Sequence, residues 1–326
     1  MTGKRPLLIP ANAFSITFGL AGLAGVWHLS AGFLGTPPAV AGLLAIVTLV
    51  VWLLLLIGYS RRLLARRATL TEELTHPITA PFIALIPLTL LVLIPVVASW
   101  SVPVATVVAL ICGVTLLVLG GWLTGNWLGR GVALESLHSG YYLPTVGAGL
   151  ITGTALAAIG MRDLGIAAVG LGGICWLLLG SIINNRNIVA GALPTPLIPT
   201  MAIDVAPVVV AGNAWFALNN GATDTAQLLL AGFAALMVLV QVRLYVLVYR
   251  GLTFSASFWA FTFSYCAVAS YALRWLATNG NDASRVVSWV IVAAISAFLL
   301  WIAVRSATAL RRGDFLPRDN PVPAAR

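Results

Sequence analysis

The sequence predicts an all-α integral membrane protein with ten transmembrane helices, and three observations carry that expectation. The 326 residues hold only nine acidic and eighteen basic side chains. No formal charge occurs over residues 6–60 or 74–129. Hydrophobic residues make up 60% of the chain and the mean hydropathy is +1.01, more than a water-soluble domain of this size could carry. A bilayer core about 30 Å thick takes roughly 20 apolar residues at 1.5 Å each, so each uncharged stretch reads as two helices joined by a tight turn.

The apolar runs place the helices in order. The first, residues 12–33, carries Phe14-Ser15-Ile16-Thr17-Phe18-Gly19, and the second, 39–59, is aliphatic from Leu43 to Ile57. The third, 81–99, opens on Pro81-Phe82-Ile83-Ala84-Leu85-Ile86-Pro87; the fourth, 102–125, is aliphatic and ends on Gly121 and Gly125, whose GxxxG spacing suits close approach to a neighbour. The fifth, 141–160, opens on Tyr141-Tyr142-Leu143-Pro144-Thr145. In the sixth, 164–183, Gly170, Gly172 and Gly173 read as small residues for helix contact, not as a dinucleotide loop. The seventh, 197–218, opens on Pro199-Thr200-Met201-Ala202-Ile203-Asp204-Val205-Ala206-Pro207. The eighth, 225–248, is aliphatic, the ninth, 254–275, begins with hydroxyls and aromatics from Phe254 to Ser264, and the tenth, 285–307, is plain. Residues 1–310 are expected to form one transport domain, and 311–326, with Pro317, Pro321 and Pro323 among basic and small residues, a disordered cytoplasmic tail that touches lipid.

Lys and Arg in short loops are retained on the cytoplasmic side. Lys4, Arg5, Arg61, Arg62, Arg66, Arg67, Arg130, Arg186, Arg243, Arg250, Arg305, Arg311, Arg312, Arg318 and Arg326 fall on one face, against Arg162, Arg274 and Arg285 on the other. Both termini are therefore expected in the cytoplasm of a bacterial-type inner, or plasma, membrane. The net charge of +9 and pI near 10.2 then describe topology, and no nucleic-acid role is expected. The first apolar run has no cleavage pattern, so its helix is expected to remain. Cys112, Cys175 and Cys266 stand alone in apolar spans, with no metal-ligand spacing, and read as packing residues. HExxH, GxxxxGK[ST] and GxSxG patterns are absent, so neither an enzyme nor a cofactor is expected.

Odd and even spans differ in kind. The even ones are aliphatic, whereas the odd ones carry hydroxyls, aromatics, glycines and prolines at intervals of about 55 to 70 residues, the pattern of a helical hairpin repeated five times. A proline inside a membrane helix frees a carbonyl and is tolerated where backbone lines a cavity or meets another helix, so Pro87, Pro144 and Pro207 mark the odd helices as a pore wall.

The segments Phe82-Ile83-Ala84-Leu85-Ile86-Pro87, His138-Ser139-Gly140-Tyr141-Tyr142-Leu143-Pro144, Thr200-Met201 with Ala206-Pro207, and Phe258-Trp259-Ala260-Phe261-Thr262-Phe263 resemble the odd helices of the tellurite-resistance and dicarboxylate transporter family. That family includes bacterial TehA and the slow anion channels of plants. The resemblance implies five hairpins around a central pore with odd helices inside, a homotrimer with one pore per subunit, and conduction of small inorganic or organic anions. It also implies that Phe263 occludes the pore near the midplane. Phe261 competes for that place, but two residues apart on a helix the side chains diverge by about 200°, so only one faces the axis. Thr17 stands where bacterial relatives have a proline, leaving Ser15, Thr17 and Gly19 to bend the first helix, and Ser264 stands where the plant channels have one.

Asp204 is the acidic residue inside an odd span, where carboxylates are rare and face water or a partner. One reading makes it a proton-coupling group; the other makes it a structural carboxylate bonded to hydroxyls, to backbone freed by Pro207, or to Arg243. His76 and His138 precede the third and fifth helices at the cytoplasmic mouth, where a histidine either draws anions or starts a helix, and His28 beside Trp27 reads as an aromatic-belt residue. The expected function is an anion channel gated by Phe263. The alternative is a proton-coupled exporter of sulfite, a C4-dicarboxylate or a tellurium oxyanion.

Overall fold

Five stretches begin as a tight helix and relax into an α-helix, and four of them have a proline at or near that start. The first runs from a 3-10 turn at Ala11–Phe14 into α1, Ser15–Leu34. After α2, Pro38–Arg66, and the short α3, Leu70–Thr75, a second 3-10 turn at Ala80–Ala84 leads into α4, Leu85–Ala98. Then α5 covers Val102–Arg130, and a 3-10 turn at Ser139–Tyr142 with a π-turn at Leu143–Gly147 leads into α6, Ala148–Ala158. Beyond α7, Arg162–Val189, the long 3-10 segment Thr195–Val205 leads into α8, Ala206–Leu218. Finally α9 spans Thr225–Leu247, the turn Ala256–Phe258 leads into α10, Trp259–Asn279, and α11 closes with Asp282–Arg312.

The computed structural model describes residues 9–66 and 70–315, and among them no strand occurs. Eight helices are long and apolar enough to cross a bilayer, which makes the chain a multi-pass membrane protein. The runs through α6 and α10 are not among the eight, because α6 has 11 residues and α10 is interrupted by Thr262, Ser264, Ser270 and Arg274.

The sequence placed the prolines at kinks inside helices; the structure puts them at the change of pitch. Pro207 lacks an N–H for the Ile203 carbonyl, which accepts instead from the Ala206 amide in an i+3 bond. Pro144 stands at the start of the π-turn, where the Leu143 carbonyl accepts from the Ala148 amide. Pro87 falls in the first turn of α4. The proline inside a regular α-helix is Pro95, which the sequence reading did not single out.

α1 packs on α4 and α10, α4 on α6, α6 on α8, and α8 on α10, so the five that start tight contact one another in a closed circuit. Outside them lie α2 against α1 and α4, α5 against α4 and α6, α7 against α6 and α8, α9 against α8, and α11 against α10 and α1. The tight starts touch their neighbours and gather at one end of the circuit, the leading end. Outer helices present apolar side chains outward, as with Val118 at 66% and Leu229 at 71% exposure, a surface that lipid tails match.

Glycines set the closest approaches. A Cβ on Gly149 of α6 would lie 2.5 Å from the Gly172 nitrogen of α7, and one on Gly120 of α5 would lie 2.5 Å from the Pro144 carbonyl. Among the described residues the expected GxxxG contact is not made: Gly121 and Gly125 have no such atom within 4 Å of a built Cβ, and Gly120 takes that role because it turns toward the inner helices. α11 continues to Arg312 and Phe315 is buried against Trp259 and Ile302, while 316–326 of the expected tail lie outside the described residues.

Candidate functional site: a two-chambered axial cavity

The first turns of all five inner α-helices meet at one small cavity. Its walls include Ser15 of α1, Leu85 of α4, Gly147 just before α6, Ala206 and Pro207 of α8, and Trp259 and Ala260 of α10. Its volume is about 50 Å³ and none of its lining residues bears a formal charge. The five helix dipoles all point their positive ends toward the leading side of this apolar chamber, although the first amides of the α-segments are already hydrogen-bonded to the tight turns before them.

Phe263 lies between this chamber and a second one further from the leading end. Its ring lines the 50 Å³ chamber and also a second one of about 120 Å³, with Ile151 and Val210 the other residues common to both. The ring stacks on Phe18 of α1 with centroids 3.7 Å apart and planes inclined by 23°. Phe18 belongs to the Phe14–Gly19 segment, whose sequence gives no sign of this partner. Two helices must meet before it can be paired with a residue 245 positions away.

The other expected pore residues divide. Pro207 and Ser264 line the first chamber with Phe263. Phe261 faces away, edge-on to Tyr249 at 4.9 Å, as the divergence of alternate residues on a helix requires. Thr17 is buried and its hydroxyl lies 3.2 Å from that of Thr89, joining α1 to α4. Gly19 admits Thr262, whose Oγ1 would sit 1.9 Å from a Cβ there, so it serves the α1–α10 contact. Pro144 lines an outer groove against α5 and lines neither chamber, and Pro87 also lies outside both linings.

Asp204 is also off the axis. Its Oδ2 accepts from the Asn187 amide of α7 at 3.4 Å, and neither chamber includes it in its wall. Arg243 is exposed, and the ion pair formed among the described residues joins Arg62 to Glu73 at the leading end.

The histidines at the leading end hold backbone together. His76 Nδ1 accepts from the Ile78 and Thr79 amides, each at 3.2 Å. His138 is fully buried: its Nδ1 accepts from the Gly140 amide at 3.1 Å, leaving Nε2–H to donate to the Ile78 carbonyl at 3.0 Å. Burial pushes the His138 pKa down to about 4, Arg186 nearby acts in the same direction, and the Ile78 carbonyl opposes without prevailing. His138 is therefore neutral at physiological pH and clamps the starts of α4 and α6, packed on Phe82 and Tyr141.

The second chamber is more polar. His28, Thr154, Asn213, Ser270 and Arg274 contribute to its wall, and Arg274 also lines an adjoining cavity of about 250 Å³ nearer the trailing end. His28 thus lines a cavity, where the sequence reading had it in an aromatic belt. A signal for Arg274 was present: it follows Phe263 by eleven residues, three turns of α10, and so lies within about 20° of the same face.

Comparison with known proteins gives the family. The chain is 28% identical over 274 residues to the tellurite resistance protein TehA homolog of Haemophilus influenzae, covering 83% of each. It is 25% identical over 333 residues to the S-type anion channel SLAH2 of Arabidopsis thaliana, a match that takes in 96% of this chain and 62% of the plant protein. The profile of the SLAC1 family, described as voltage-dependent anion channel, matches residues 9–309. That interval holds all five inner helices and both chambers, and the chain belongs to the SLAC1 family.

Proposed function

We propose that the chain is an anion channel in which ten membrane helices, paired as five hairpins, place α1, α4, α6, α8 and α10 around a conduction path blocked by Phe263. The observation that carries this reading is the convergence of five helix N-termini on the uncharged chamber next to that ring. An anion there is held by backbone dipoles alone, so selection follows dehydration cost and size and favours larger, weakly hydrated monovalent anions. The stacked Phe18 is the second half of the gate, since Phe263 cannot swing toward α1 while the two rings are in contact.

The leading end is assigned to the cytoplasm of a bacterial-type inner membrane, because Arg61, Arg62, Arg130 and Arg250 lie around it, and both termini go with it. A homotrimer with one path per subunit belongs to the same proposal, and light scattering of the detergent-solubilised protein tests it. Asp204 lines neither chamber, which weighs against a proton-coupled exporter; its Oδ2 meets Asn187 and its Oδ1 is buried without a partner. Reversal potentials separate the two readings: a channel follows the anion gradient alone, whereas a coupled carrier also shifts with the proton gradient. In planar bilayers, Phe263→Ala is expected to raise the conductance; unchanged conductance and rectification would overturn the gate.

A further inference from the structure

Three arginines stand toward the trailing end, and two have evident partners. Arg162 Nε donates to the Leu218 carbonyl at the end of α8 at 3.0 Å, and Arg285 reaches the Phe33 carbonyl near the end of α1 at 3.5 Å. Each meets a carbonyl that a helix C-terminus leaves free. Arg274 does neither. Its Nε is buried without a hydrogen-bond partner, and among the described residues no carboxylate lies within salt-bridge distance of it.

Arg274 lines both the 120 Å³ chamber beyond Phe263 and the 250 Å³ cavity next to it, so it stands between them. Ser270 lies one turn earlier on the same face of α10, and His28 lines the same chamber from α1. Asn213 Nδ2 donates to the Ala267 carbonyl at 3.0 Å, while its Oδ1 is buried without a partner and offers an anion nothing. Here the inner helices approach their C-terminal ends, whose free carbonyls repel an anion. What favours an anion on one side of Phe263 is therefore reversed on the other.

We propose that Arg274, with His28 and Ser270, forms a binding site for a small carboxylate or similar oxyanion in the chamber beyond Phe263. An unpartnered guanidinium in a confined chamber offers a planar fork that fits two oxygens of one anion, which a spherical halide cannot match. The imidazole supplies a ring N–H in either neutral tautomer, and the Ser270 hydroxyl a further donor. The chamber limits the occupant to a few heavy atoms. As a step in conduction this site rests on the channel reading; as a binding site it does not.

Two measurements test it with formate as the probe and gluconate as the control at equal ionic strength. Formate is expected to raise the unfolding midpoint of the purified chain in detergent by about 2 °C, and Arg274→Gln to abolish that rise. An equal rise in Arg274→Gln overturns the site. In bilayers, the conductance of Phe263→Ala for formate supplied from the trailing side is expected to fall on the order of tenfold when Arg274→Gln is added, and the difference to shrink at high salt. Arg274→Lys is expected to keep chloride current and lose the preference for formate, because an ammonium has charge without the fork. If Phe263→Ala conducts nothing while formate still stabilises through Arg274, the site stands and the channel reading falls. Should Arg274→Gln fail to fold, Arg274→Lys and His28→Ala decide: full formate stabilisation in both overturns the site.

Discussion

The third and fourth apolar runs have equal mean hydropathy, yet 61% of the best window in Ala80–Ala98 is buried within the chain and only 22% in Val102–Arg130. Hydropathy therefore does not distinguish a helix that faces protein from one that faces lipid, because hydrocarbon is as apolar as leucine. Backbone irregularity does. Ala80–Ala98 starts as a 3-10 turn and passes proline twice more, at Pro87 and Pro95, while Val102–Arg130 is one continuous α-helix. Unpaired backbone groups cannot face lipid, so the irregular stretches are drawn inward.

The contrast can be tested by substitution, beginning with its steric side. Gly149→Ala would push a Cβ into the α7 backbone at Gly172 and is expected to cost on the order of 1–3 kcal/mol, measured as a loss of thermal stability in detergent. Gly125→Ala on the outer face of α5 meets nothing and is expected to be neutral or slightly stabilising, since Ala is the better helix former. Equal effects at the two sites would remove the distinction between inner and outer packing.

A comparable effect is expected from pH. His138 is neutral in the folded chain down to about pH 4 but takes a proton near 6.5 when unfolded, so the unfolded state binds more protons between those values. Stability is complete above pH 6.5 and falls as the medium is acidified, by about 3 kcal/mol at pH 4. A pH series of melting temperatures checks this, and His138→Gln is expected to flatten it.

On the functional side, Phe18→Ala is expected to raise conductance less than Phe263→Ala, because Phe18 stacks on the Phe263 ring while Phe263 itself stands between the chambers. A larger effect from Phe18→Ala would transfer the block to α1. The smallest change is expected from Asp204→Asn, which keeps a group that can meet Asn187. Its transport rate and pH dependence should match the wild type, and a lost pH dependence would restore the coupled exporter.

How far the site could be read depended on the range of each interaction. Phe263, Pro207 and Ser264 line the first chamber, and the facing of each follows from position along one helix. Thr17 and Gly19 have the polarity and size of lining residues but meet Thr89 and Thr262, partners that become neighbours only when three helices pack. Asp204 is the same case: the chain shows a carboxylate within an apolar run and cannot show that Asn187 of another helix lies beside it.

Residue order alone was enough for the membrane class, the approximate spans and the alternation of plain and irregular helices. Each depends on local quantities: charge spacing against bilayer thickness, and the donors that proline removes. Packing decided the rest. It turned the proline-marked segments into tight starts, brought five helix ends to one chamber, laid Phe18 on Phe263, and left Arg274 unpartnered between two cavities while its fellow arginines met helix ends. These are relations between distant side chains, and in a chain this poor in charge no complementary pairing along the sequence announces them.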